Sequence, residues 1–61
     1  MLDKSFWVES VLSWCNMVDV GIGFIRYDVK TNDIDNALEQ LKFTKEKLMY
    51  LEEALTKLKG N

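Results

Sequence analysis

Histidine and proline are absent from this chain, and cysteine occurs once, at Cys15. Each gap removes a class of protein. Without histidine, no Ser-His or Cys-His nucleophile pair can be assembled. A single thiol closes no internal disulfide, and with only carboxylates and carbonyls as company it makes a poor zinc set. On a helix Cys15 would sit among Val11, Trp14 and Val18, where burial quiets a thiol. Glycine is scarce too. Gly21-Ile22-Gly23 has no third glycine and no lysine-serine pair, so it is not read as a phosphate cradle. The acid pairs Asp33/Asp35 and Glu52/Glu53 fall at a helix start and on a solvated face, not in the setting that acid–base chemistry needs. Catalytic, cofactor-binding and metal-ligating residues are not expected, and neither is an enzyme.

Positive charge is also in short supply. The net charge is −2 and the pI about 4.9, against the basic patch that nucleic-acid binding requires. No run approaches the roughly 20 apolar residues of a membrane span. Asp3, Glu9, Ser10, Ser13 and Asn16 interrupt any signal-like segment. The polar stripe of the first helix holds no lysine to attract anionic lipid. Neither nucleic acid nor membrane is an expected partner. One free thiol with no targeting segment suits a reducing compartment, so a cytoplasmic location is expected.

What the chain does have is apolar periodicity. Ile34, Ala37, Leu41, Thr44, Leu48, Leu51, Leu55 and Leu58 recur every three or four residues, in a stretch free of glycine and proline. This predicts a helix over about 33–59 with one seam buried against other helices. Asp33 or Asn36 would cap it, Lys57 and Lys59 suit its C-terminal end, and Gly60 would follow as the stop. Thr44 is the one polar residue on that seam, and leucine in its place is expected to raise stability.

A first helix is expected over about 3–20, capped by Asp3. Ser5, Glu9, Ser13 and Asn16 form its one narrow polar stripe, and nearly everything beside them is apolar. Trp7, Val11, Trp14 and Val18 share a face. Gly21 and Gly23 are read as its end. Residues 21–32 become a long connection in which Ile25, Tyr27 and Val29 alternate with Arg26 and Asp28. That alternation suggests an extended loop docked on the helices, or a strand paired with another subunit, with an extension of the helix as the remaining alternative.

The expected fold is therefore all-α: a single helical-hairpin domain, two helices joined by a long, partly extended loop, assembling into an oligomeric bundle. A chain this short buries only about 60% of its unfolded surface, and 48% of its residues are hydrophobic. With disulfides and metal set aside, oligomerisation is the remaining route to a core. A second helix of about 40 Å would also outrun a first helix of about 24 Å. A dimer or tetramer is expected, with Trp7, Val11, Trp14, Val18, Leu41, Leu48, Leu51, Leu55 and Leu58 at its interface. Recognition of a partner or ligand is assigned to Arg26, Tyr27 and Lys30. The expected function is a small non-enzymatic interaction module, an adaptor or inhibitor that binds another protein. The alternatives are an oligomer that sequesters a small anion in pockets between subunits, and a structural assembly subunit.

Overall fold

The computed structural model describes residues 3–60. They form two helices of equal length, α1 (Lys4–Lys30) and α2 (Ile34–Gly60), packed antiparallel in a rod with extents of 46 × 14 × 13 Å. Among the described residues there is no strand. The all-α hairpin stands. The long connection does not.

Asp3 caps α1 by accepting from the Phe6 amide at 3.1 Å. The helix then runs through Gly21 and Gly23 to Lys30. Glycine costs a helix about 1 kcal/mol each, so two of them are a warning and not a stop. Packing along the whole of α2 outweighs that cost. The alternation read over Ile25–Val29 also gives way to helical turns. Ile25 is half-buried and Asp28 is 5% exposed, whereas Tyr27 is 64% exposed and Val29 is also exposed. An extended chain would have turned Tyr27 and Val29 inward, but a helix turns Ile25 and Asp28 there instead.

The reversal takes three residues. Asn32 adopts a left-handed φ of 59°, with the Asn32 amide donating to the Val29 carbonyl at 3.1 Å and the Asp33 amide to the Asp28 carbonyl at 2.7 Å. This is the Schellman arrangement, completed by the Thr31 hydroxyl, which donates to the Tyr27 and Asp28 carbonyls. Asp33 serves both helices. Its amide ends α1, while its carboxylate caps α2 by accepting from the Asn36 amide at 3.2 Å. Asn36 also donates from its side chain to the Asp28 carboxylate at 2.8 Å, tying the last turn of α1 to the first of α2. Since β-branched residues resist positive φ, Asn32→Val is expected to cost about 1–2 kcal/mol. Asn32→Gly should stay close to wild type, and thermal melts of the two variants would check the difference.

The helices meet along Trp7, Val11, Trp14, Val18, Gly21, Ile25 and Asp28 on α1, all half-buried or buried. They face Ala37, Gln40, Thr44, Lys47, Leu51, Ala54 and Leu58 on α2, again half-buried or buried. Both series step alternately by three and four residues, which is the coiled-coil period. Half of the expected seam is therefore right, at Ala37, Thr44, Leu51 and Leu58. The other half is displaced: Ile34, Leu41, Leu48 and Leu55 are exposed, and Gln40, Lys47 and Ala54 take the inner positions.

Small residues explain the choice. Ala54 is 2% exposed and borders a cleft shared with Trp7 and Trp14, whose bulk complements it. At mid-rod Gly21 faces Thr44, which is 3% exposed and donates its hydroxyl to the Gln40 carbonyl at 2.8 Å. A Cβ on Gly21 would collide with the Thr44 hydroxyl and lie 3.3 Å from its Cβ. The helices approach closely here because Gly21 has no side chain. Leucine at position 44 would have no room, which reverses the stabilising effect expected from sequence.

Candidate interaction surfaces

Two helices in a rod leave each other largely uncovered. Among the described residues only Ala37 and Ala54 are buried apolar residues, and no large side chain is fully buried. The apolar excess lies outside the seam, on two flanks.

The first flank is aliphatic. Val8, Cys15, Ile22 and Val29 on α1 stand at strict seven-residue spacing, as do Ile34, Leu41, Leu48 and Leu55 on α2. All but Ile34, which opens the α2 series one heptad before Leu41, follow a seam position directly in sequence, so the two series border the seam on the same side. Cys15 is half-buried and the others are exposed, Leu48 to 47%. Leu12 and Leu38, one turn further out, widen the stripe.

The second flank is aromatic. Met17, Phe24 and Phe43 border one open cleft with Gly21, Gln40, Thr44 and Lys47. Lys47 starts from a seam position and reaches outward, placing its ammonium 5.9 Å from the Phe43 ring centre. That contact keeps the charge in solvent while the stem covers apolar surface. Nearer the termini Trp14 packs on Tyr50 with centroids 4.9 Å apart, and Phe6 meets Trp7 edge-on at the same separation.

The residues expected at an oligomer interface thus divide by place. Trp7, Val11, Trp14, Val18, Leu51 and Leu58 line the contact between α1 and α2 of one chain. Leu41, Leu48 and Leu55 lie on the open aliphatic flank. The sequence reading missed Val8, Ile22 and Val29 as members of that flank, while Ile34 stood with the leucines in the periodic series of α2. Their signal was the seven-residue repeat, hidden once the first helix was ended before Ile22. α1 and α2 both hold 27 residues, so the seam lacks the overhanging end expected from unequal helices.

Arg26, Tyr27 and Lys30 occupy the last two turns of α1, all exposed, on a helix and not a loop. Arg26 and Lys30 are adjacent at i,i+4, and Tyr27 and Lys30 at i,i+3. Asp28, expected to point outward beside Arg26, is turned inward to Asn36 instead.

With α1 unbroken, one of its 18-residue windows has mean hydropathy 1.3, making the helix long and apolar enough to cross a membrane by length and composition. The sequence reading missed this by stopping the helix at Gly21. Asp19 lies near the middle of α1, where a charge at a bilayer centre costs about 2.5–3.5 kcal/mol.

No family model, curated protein or solved structure matches this chain.

Proposed function

We propose that the chain is a non-enzymatic helical interaction module that works as a homo-oligomeric bundle, an adaptor or inhibitor that occupies the surface of another protein. One observation carries this reading. A chain with 48% hydrophobic residues folds into a hairpin whose buried apolar residues, among those described, are two alanines. Isolated domains of this size are already marginal, and a core of that kind leaves the apolar stripes to be covered from outside. The two flanks differ in chemistry. The aliphatic one has the seven-residue regularity of helix packing, whereas the aromatic one has the composition of protein-recognition hot spots. On this reading the protein is cytoplasmic, and its partners are its own copies and another protein.

Light scattering of the full chain at micromolar concentration is expected to give the mass of a dimer or larger species. A well-folded monomer at that concentration overturns the proposal. For the second partner, the comparison is between wild type and Phe24→Ser/Phe43→Ser as baits. A protein retained by the first and lost by the second, with the oligomer unchanged, identifies the aromatic flank as the recognition surface.

A further inference from the structure

We propose that the aliphatic flank is covered by a second copy of this chain, related by a two-fold axis parallel to the helices, so that α1 of each copy lies against α2 of the other. The proposal rests on the self-association argued above and adds the face and the geometry. The Gly21–Thr44 crossing and the Asp28–Asn36 hydrogen bond fix the heights of residues along the rod. In that register Val8 stands level with Leu55, Cys15 with Leu48, Ile22 with Leu41 and Val29 with Ile34. These are four apolar rungs with no charge among them. An isologous dimer uses the same patch twice, so each rung meets its own copy. A face about as long and wide as the rod, 46 by 14 Å, suits an interface of standard size, about 800 Å² per partner.

Two flat hairpins can face each other about an axis along the helices or about one across them. The rim decides between these. One position outside the rungs, α1 carries Asp19 and Arg26, and α2 carries Lys45 and Glu52. Asp19 and Lys45 fall at nearly the same height, close to the middle of the rod. With the axis along the helices, Asp19 meets the partner's Lys45, and the two-fold repeats the pair. Arg26 and Glu52 then face the partner's Leu38 and Leu12, so no like charges oppose. With the axis across the helices, Asp19 meets the partner's Asp19 and Lys45 meets the partner's Lys45. Opposed like charges disfavour that arrangement. The aromatic flank offers no such pairing, because its rim has Glu39, Glu46 and Glu53 on α2 against Ser13, Val20 and Tyr27 on α1.

Sedimentation equilibrium of the full chain at low salt tests this with Asp19→Lys and Lys45→Asp, both at exposed positions. Each variant alone is expected to raise the dimer dissociation constant about tenfold or more, since two attractions become two repulsions. An equimolar mixture of the two should recover wild-type affinity, because the mixed dimer pairs every introduced charge with its opposite. In the crossed geometry each variant alone keeps like facing like, so neither would weaken the dimer. A wild-type dimer indifferent to both substitutions, or weakened variants that mixing does not rescue, overturns the geometry and leaves self-association standing. A monomeric wild type overturns both.

Discussion

Gly21→Ala is expected to destabilise the protein by about 1–2 kcal/mol, although alanine is the better helix former. The gain in helix propensity is about 1 kcal/mol. Against it, the new methyl collides with the Thr44 hydroxyl, which its bond to the Gln40 carbonyl holds in place. Relief means breaking that bond or parting the helices, and overpacking of this kind costs about 1–3 kcal/mol with the lost hydrogen bond added. Two controls separate these terms in thermal or urea melts. Gly23→Ala, where a Cβ meets nothing within 4 Å, should stabilise by about 1 kcal/mol. Thr44→Ala added to Gly21→Ala should recover most of the loss, because the hydroxyl that obstructs the methyl is gone. Thr44→Leu should destabilise as Gly21→Ala does. If Gly21→Ala melts above wild type, the helices do not approach closely at this point.

Leu51→Asp and Leu48→Asp are expected to fail in different ways. Leu51 is half-buried on the seam within one chain, so a carboxylate there separates α1 from α2. The lost packing and the unpaired charge together amount to several kcal/mol, and the helical circular-dichroism signal should be lost at every protein concentration. Leu48 is nearly half exposed on the aliphatic flank. A charge there opposes association only, so the assembly should shift toward monomer and recover as concentration rises. Equal, concentration-independent loss of helix in both variants would place Leu48 on the seam and remove the aliphatic flank as an association surface.

Much of the fold was legible because its signals are local. Asp3 declares itself as a cap, the cap of α2 is narrowed to Asp33 or Asn36, and the periodicity of α2 needs no tertiary information. What failed required knowledge of the other helix. Gly21 and Gly23 carry the same local penalty, yet one is a contact with Thr44 and the other faces open space. Their letters are identical, so sequence alone could not separate a close approach from a helix end. The seam on α2 was misplaced for a related reason. Hydrophobicity favours Leu41, Leu48 and Leu55 as the inner residues, but close approach selects Ala54, and Gln40 and Lys47 come inward with it. Burial followed size as well as polarity. The exposed aliphatic flank was half legible: the leucines of α2 stood out by their spacing, while their counterparts on α1 were obscured by the assumed loop.

The tight turn at Thr31-Asn32-Asp33 also dictates an order of assembly. Contacts between the helices form a ladder whose sequence separation grows steadily from the turn. Asp28 and Asn36 are 8 residues apart, whereas Trp14 and Tyr50 are separated by roughly two further doublings, each adding about 0.6 kcal/mol of closure entropy. By closure entropy alone the contacts nearest Asn32 are expected to close first, with Gly21 and Thr44 meeting before either tryptophan finds its place. Opening runs the same path backwards. The tryptophan end is expected to part first and form last, so on unfolding the indole fluorescence should change before the Asp28–Asn36 clasp is lost.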